Sequence, residues 1–279
     1  MESIVVGFDG TDAAYVALEW VAARTSRRGD CHVEITTIDA ADLFAYDVVD
    51  QALRDAERRV RSTDPHAVIT TSTHSGNIPE GLLRVAATAD LLVIGATRNR
   101  PLRSALTGWR PLRTAAQSSV PVVIVPSDWS RAAGPVVVGV DDDDSSEEAV
   151  RFASAEAEAS GASLTLVHTW SMPDMNTAGA SALMASPEHT RSAHAEILDR
   201  ARMSTLRAHP CLSVHAVLRE GDPASVLLDE IDHAALLVVG THHRGVLEAA
   251  VVGSVGREAV AGSRTPVCVV PREAIREPS

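Results

Sequence analysis

The strongest constraint on the fold is that the chain contains the same pattern twice. The segment IVVGFDGTDAAYVALEWVAA is matched by VVVGVDDDDSSEEAVRFASA, which places Asp9 and Asp141 132 positions apart. Later, LLVIGATRNR is matched by LLVVGTHHRG, with Gly95 and Gly240 145 positions apart. The second copy therefore carries a net 13 extra residues, which we assign to the segment SMPDMNTAGASALMASPEH. Because such self-similarity marks repeat architectures, we predict two homologous domains in tandem.

Each copy alternates short apolar runs with helical patterns. Strands are predicted at 4–8, 32–38, 67–73, 91–95 and 122–125, and again at 136–140, 163–169, 213–218, 236–240 and 267–270. Helices are predicted at 13–24, 48–61, 78–88 and 111–118, and again at 146–159, 188–208, 223–232 and 254–262. Continuous Val, Ile and Leu runs are typical of parallel strands covered on both faces. We predict an α/β fold of two doubly wound five-stranded parallel-sheet domains, 1–128 and 134–279, joined through PSDWSRAAGP.

Composition excludes several classes of function. All 25 basic residues are arginine, and the absence of lysine excludes a Walker A loop, a protein kinase and a pyridoxal-phosphate enzyme. A net charge of −12 opposes binding to nucleic acid or to an anionic membrane. The amino terminus shows neither a basic region nor a cleavable apolar segment, and no apolar run is long enough to span a bilayer. A cytoplasmic location is the expectation, and three widely spaced cysteines agree with it.

Candidate ligand-binding residues stand at the carboxyl ends of predicted strands, where doubly wound sheets bind ligands. One group follows the first strand of each copy, and a second group surrounds the loop after the fourth strand. In the second copy that loop ends at Gly253 and Ser254, which open a predicted helix whose N–H groups and dipole favour an anion. The Ser254 hydroxyl could equally cap the helix, so phosphate binding and plain capping are both consistent with the pattern.

The order of these motifs resembles that of tandem universal stress proteins. The features that carry the resemblance are the strand–Asp starts, the turn Gly221-Asp222-Pro223, the glycine-rich loops and the closing segments PVVIVP and PVCVVP. The resemblance covers both copies and nearly the whole chain. It implies an adenine-nucleotide-binding α/β fold, with ATP as the ligand and Mg²⁺ as a possible companion. It also implies that the two closing strands pair antiparallel, so that the copies form a pseudo-dimer within one chain.

Carried over residue by residue, the resemblance assigns roles in the second copy. It places Asp141 against the adenosine, Thr169 near the adenine, and Gly253, Ser254 and Val255 at the triphosphate. The second glycine of the loop is replaced by His243, which either crowds the phosphate path or donates a hydrogen bond to it. The remaining positions of the predicted site are Gly139, Val140, Val239, Gly240, His242 and Gly245.

The first copy departs further from the family pattern. Arg98 stands at the second glycine, and Trp109 replaces the Ser or Thr after the third. The arginines of this loop either bind phosphates in place of backbone amides, or the site has lost its function and they pair with an acidic surface on the other domain or on a partner. Six other positions keep the pattern: Gly7, Phe8, Asp9, Ile94, Gly95 and Gly108. Together with Arg98 they form the predicted site of the first copy.

Two further patterns receive simpler interpretations. The run Asp141–Asp144 could hold Mg²⁺, but a charge cluster favoured by the helix dipole is the better explanation. The adjacent His242 and His243 point apart in an extended loop, so we expect no metal site there.

We therefore predict an ATP-binding regulatory module of a stress response, without strong catalytic activity. The alternatives are a nucleotide-free interaction scaffold with degenerate loops, or a slow ATPase. The apolar closing strands 122–125 and 267–270 also predict a homodimer through these edges, since an exposed apolar edge strand is a template for pairing. An unidentified protein partner is a further expectation.

Overall fold

The computed structural model describes residues 1–39, 46–97, 110–172, 186–241 and 253–272. Within these ranges the first repeat contains β1 (Glu2–Gly7), α1 (Asp12–Arg28), β2 (Cys31–Asp39), α2 (Tyr46–Thr63), β3 (Val68–Ser75), α3 (Ile78–Ala86), β4 (Leu91–Ala96), α4 (Arg110–Gln117) and β5 (Val122–Pro126). The second repeat contains β6 (Val136–Val140), α5 (Asp144–Ser160), β7 (Leu164–Trp170), α6 (Pro187–Ala208), β8 (Val214–Glu220), α7 (Pro223–Glu230), β9 (Leu236–Gly240), α8 (Ser254–Gly262) and β10 (Val267–Val270).

The ten strands form one sheet in the order β3-β2-β1-β4-β5-β10-β9-β6-β7-β8. Within each repeat all neighbouring strands are parallel, and the crossovers place helices on both faces. The predicted doubly wound α/β architecture of two five-stranded repeats is confirmed. None of the helices in the described ranges is both long and apolar enough to span a bilayer.

The two repeats meet where β5 and β10 pair antiparallel at the centre of the sheet, as the resemblance implied. Val123 lies opposite Cys268, and these two residues occupy equivalent positions, 145 residues apart. The strand order of the second repeat therefore mirrors that of the first about an approximate twofold axis through this pair. Because β5 and β10 pair with each other, neither is an edge, and the predicted homodimer through these strands loses its basis. That the chain forms a homodimer stays a prediction.

Apolar side chains cover both faces of the sheet continuously across the two repeats. One core packs under α1, α2, α5 and α6 and includes Leu18, Leu53 and Leu166. The other packs under α3, α4, α7 and α8 and includes Leu82 and Leu227. A shared core on each face holds the repeats together as one three-layer body.

Helix α1 extends four residues beyond its predicted end at Arg24. The sequence becomes polar after Arg24, which hides the continuation, but the helix ends only where Gly29 adopts φ 60° and donates its N–H to Thr25 O. Glycine is suited to such an ending because it lacks a Cβ. The extension places Arg24 and Arg28 inside the helix, where both contribute to the contact between repeats.

Candidate functional site

A cleft of about 530 Å³ opens at the carboxyl ends of β6, β7 and β9 in the second repeat. Nine of the residues predicted from the sequence line it: Gly139, Val140, Asp141, Thr169, Val239, Gly240, Gly253, Ser254 and Val255. The strand order β9-β6-β7 sets the direction of the cleft, which runs from the start of α8 at one end to the last residues of β7 at the other.

The turn after β6 is fixed by hydrogen bonds between its own side chains and backbone. The Asp143 carboxylate caps α5 by accepting from the Ser146 N–H and the Ser145 hydroxyl, both at 2.8 Å. The Asp141 N–H donates to the Ser146 hydroxyl at 2.8 Å, and Asp141 Oδ1 accepts from the Asp142 N–H at 2.9 Å. These bonds hold the exposed Asp141 side chain at the end of β6, on the wall of the cleft.

Two carboxylates of the run Asp141–Asp144 pair with arginines, which fits a charge cluster at the start of a helix. Arg200 pairs with Asp142 at 2.6 Å, and Arg272 pairs with Asp144. Among the residues that the structure describes, no group of three or more His, Cys, Asp and Glu side chains is arranged to hold a metal ion. His242 and His243 lie outside the described residues.

The helix start at the other end of the cleft lacks a side-chain cap in the described structure. Gly253 is the N-cap residue of α8 and has no side chain with which to cap, while Ser254 is the exposed first residue of the helix. The first N–H groups of an α-helix have no partner within the helix, and its dipole favours an anion there. This end of the cleft is therefore suited to a phosphate or carboxylate group.

Gly240 and Gly95 have a packing role that their sequence context did not reveal. A Cβ on Gly240 would lie 2.5 Å from the backbone oxygen of Ser145, and a Cβ on Gly95 would overlap the backbone oxygen of Ala13. In both repeats the fourth strand thus approaches the first helix too closely for any side chain. Glycine is required here by the fold, whether or not a phosphate binds in the loop that follows.

A histidine pair that the sequence did not predict forms the β7 end of the cleft. The ring of His168, which is 3% exposed, places Nδ1 2.6 Å from Val140 O and Nε2 2.8 Å from Nδ1 of His194 on α6. The buried Trp170 ring lies beyond His194, with centroids 6.4 Å apart and planes inclined by 31°. The cleft therefore ends in flat aromatic surfaces, which suit a planar ligand group.

The hydrogen bonds of the pair determine its tautomers. A carbonyl oxygen only accepts, so His168 Nδ1 carries a proton, and in the neutral ring His168 Nε2 accepts from His194 Nδ1. His194 Nε2 then carries a lone pair and can accept a hydrogen bond from a ligand. In the first repeat, Thr37 takes the place of His168, and its hydroxyl donates to Phe8 O at 2.9 Å.

We expect the pKa of His194 to lie below that of free histidine. Burial lowers it most, the neighbouring His168 lowers it further, and Asp141 acts in the opposite direction. When the pH falls below the ordinary histidine pKa of about 6.5, the unfolded chain takes up a proton that folded His194 does not. The contribution of His194 to the free energy of unfolding should thus decrease as the pH falls from the unfolded pKa to the lower folded pKa. At pH values above both pKa values it should stay constant.

An NMR titration of the histidine ring protons tests this expectation in the native protein and in His168→Gln. Removing the second ring should raise the pKa of His194 without restoring it fully, because the burial persists. An unchanged pKa in the variant would show that His168 does not influence His194.

In the first repeat, the described part of the predicted site is mostly interior. Phe8 is 4% exposed and packs edge-on against Tyr15, with ring centroids 5.1 Å apart, so it belongs to the core. Gly7 and Ile94 lie within β1 and β4, and Asp9 accepts hydrogen bonds from the Thr11 N–H and hydroxyl. The predicted Arg98, Gly108, His242, His243 and Gly245 lie outside the described residues.

The turn that resembles a family motif before α7 has a local structural reason. Asp222 caps the helix by accepting from Ser225 N–H and hydroxyl, both at 2.9 Å, and these bonds lower the pKa of its carboxyl. Gly221 precedes it with φ 148°, which favours glycine. Gly76 has φ 132° at the corresponding turn of the first repeat.

Comparison with known proteins agrees with the duplicated architecture. The family model described as the universal stress protein family matches residues 1–126 and 133–271. A universal stress protein of Mycobacterium tuberculosis is 28% identical over an alignment of 301 positions, gaps included, that covers 95% of this chain and 94% of that protein. One of Mycolicibacterium smegmatis is 26% identical over an alignment of 288 positions that covers 96% of each chain. The crystal structure of a universal stress protein from Archaeoglobus fulgidus superposes with a TM-score of 0.67 at 15% identity, covering 97% of this chain and 96% of that one.

Proposed function

This chain belongs to the universal stress protein family, with two family repeats, and from that premise we propose that its second repeat binds an adenine nucleotide. The observation that carries the proposal is the cleft at the carboxyl ends of β6, β7 and β9, which brings together nine residues predicted from the sequence. We propose ATP as the nucleotide and a regulatory binding role without catalytic turnover.

The two ends of the cleft suit the two ends of a nucleotide. The start of α8, which has no side-chain cap among the described residues, offers its N–H groups to the phosphates, with Gly253 and Ser254 at the contact. The β7 end offers the rings of His194 and Trp170 to the base, and His194 Nε2 can accept from an exocyclic amine. Asp141 stands between these ends, where its carboxylate can accept hydrogen bonds from ribose hydroxyls.

Matched aspartate variants in the two repeats test the assignment. Asp141→Ala should weaken ATP binding by roughly tenfold or more, because a hydrogen bond to a charged group contributes about 1.5–3 kcal/mol. Asp9→Ala should leave the affinity of the second repeat unchanged, since its carboxylate belongs to the other copy. Isothermal titration calorimetry with ATP and Mg²⁺ gives both affinity and stoichiometry.

Three results would change the proposal. An Asp141→Ala protein that binds ATP as the native protein does would contradict the placement of the site. No ATP binding by the native protein, and no nucleotide released on denaturing it, would favour the nucleotide-free scaffold. ATP hydrolysis above buffer that is lost in His194→Gln would favour the slow ATPase.

Stoichiometry addresses the first repeat, whose phosphate loop retains Gly95 but carries Arg98 and Trp109. One ATP per chain would assign binding to the second repeat, and two would extend it to the first. A homodimer, an additional protein partner and a cytoplasmic location stay predictions.

A further inference from the structure

The contact between the repeats contains a cluster of four charged side chains, of which Arg24 and Glu156 are buried and Glu2 and Arg28 half-buried. Arg24 on α1 is 2% exposed and binds two carboxylates in bidentate fashion, Glu156 on α5 at 2.9–3.0 Å and Glu2 on β1 at 2.8 Å. Arg28 also reaches across the contact, to Glu156 at 2.9 Å and to the backbone oxygen of Ala155 at 3.3 Å. Burial works against the charge of Glu2, but hydrogen bonds and charges from Arg24 and Arg28 hold its pKa below the ordinary value.

Arg24 and Glu156 are the same position in the two repeats. They are 132 residues apart, as are the helix-ending Gly29 and Gly161, so each occupies the same turn of an equivalent helix. The ion pair therefore lies on the approximate twofold axis that relates the repeats, like the Val123–Cys268 pair. On such an axis, pairing of a repeat with its own copy would bring identical side chains together.

The surrounding charges make the two repeats complementary and not self-complementary. The first repeat contributes Glu2, Arg24 and Arg28, a net charge of +1 at this contact. The second contributes Glu156, a net charge of −1, because Gly134 and Ser160 stand at the equivalents of Glu2 and Arg28. The four charges of the cluster sum to zero in the native pairing, and the exposed Arg27 lies at the edge of the cluster, within electrostatic reach of Glu156. Either like pairing would leave two uncompensated charges in the cluster, which is strongly unfavourable in a buried contact.

We infer that Arg24 and Glu156 encode the pairing of the repeats, so that this face of the first repeat accepts only a repeat bearing an acidic residue at the equivalent position. The apolar strands β5 and β10 pair across the same contact but are nearly self-complementary, VVIV against VCVV. They therefore cannot distinguish like from unlike pairing. The charged pair provides that distinction, as a mismatch that excludes the wrong partner.

Charge variants of the full chain reproduce both like pairings within one molecule. Arg24→Glu places Glu opposite Glu, as in a pair of second repeats, and Glu156→Arg places Arg opposite Arg, as in a pair of first repeats. Amide hydrogen exchange in β5 and β10 reports whether the contact stays closed. We expect exchange in these strands to accelerate by about 100-fold or more in both variants, since uncompensated buried charges are strongly destabilising.

Two double variants show whether opposite charge is what matters, or whether these two positions simply do not accept other side chains. The reversal R24E/E156R restores opposite charges, and we expect it to recover most of the protection even if the single variants do not fold. The variant R24L/E156L should also remain closed, because it removes both fully buried charges and leaves the half-buried Glu2 paired with Arg28 at 3.3 Å.

The inference would be overturned by either of two results. One is that the amides of β5 and β10 are protected from exchange as well in R24E and E156R as in R24L/E156L. That would show that the charges do not distinguish like from unlike pairing. The other is that R24E/E156R is no better protected than the single variants, which would show that local geometry and not opposite charge decides the pairing.

Discussion

Replacing Gly240 with alanine should lower the free energy of unfolding by about 3 kcal/mol. The new Cβ would lie 2.5 Å from the backbone oxygen of Ser145, and a backbone atom cannot turn aside as a side chain can. Either β9 or the first turn of α5 must shift, which disturbs the close packing of strand against helix. Gly95→Ala should have an effect of the same order, because Ala13 O occupies the equivalent place in the first repeat. Urea denaturation followed by circular dichroism measures both.

Gly139→Ala is the matched control for this effect. It lies in the same cleft, but its Cβ would meet only the ends of side chains, Leu227 at 3.3 Å and Val239 at 4.0 Å, so we expect a change within about 1 kcal/mol. If Gly240→Ala kept the native stability and lost only nucleotide binding, the glycine would serve the ligand loop and our packing explanation would be wrong.

Removing the buried guanidinium in Arg24→Leu should cost about 3–5 kcal/mol of stability. The substitution leaves Glu156, itself almost fully buried, and Glu2 with one fewer cation to balance them. The remaining Arg28 cannot neutralise both carboxylates. The loss should appear as a lower urea midpoint with little change in the dependence on denaturant, since the folded core stays the same.

An exposed arginine provides the comparison. Arg59 pairs with Glu19, but its side chain is 51% exposed and that of Glu19 is 41% exposed. We expect Arg59→Leu to change stability by less than about 1 kcal/mol, because exposed ion pairs contribute little. Equal effects of Arg24→Leu and Arg59→Leu would indicate that water reaches the cluster between the repeats and weakens it.

Sequence patterns predicted most of the secondary structure because each element carries a local signal. Apolar runs such as 136–140 are typical of interior strands of a covered sheet, and the Gly29 stop after α1 is a local property of glycine. The helix predicted over 13–24 nevertheless stopped four residues short of Gly29, because residues 25–28 are polar. Of these, Thr25 is buried and Arg28 contacts the second repeat, which the sequence does not show.

The candidate site likewise contains residues that the sequence predicts and residues that only the structure reveals. Asp141 follows a predicted strand and Gly253 precedes a predicted helix. The topology of a doubly wound sheet therefore brings them into one cleft. His194 follows the segment that is extended in the second copy, and the described residues of the first copy show no counterpart of its contact with His168. Gly240 was predicted as part of a ligand loop, and only the approach of Ser145 O shows that packing alone demands glycine there.

The sequence by itself determined the duplicated α/β architecture, the family and the strand ends at which a ligand would bind, because periodicity and repetition are properties of the chain alone. The tertiary structure decided which side chains meet. Arg24 and Glu156 are 132 residues apart in the sequence, and their offset is plain once the repeats are aligned. Only the antiparallel pairing of β5 with β10 brings those equivalent positions together on one axis, where the burial of opposite charges becomes a physical constraint on the whole molecule.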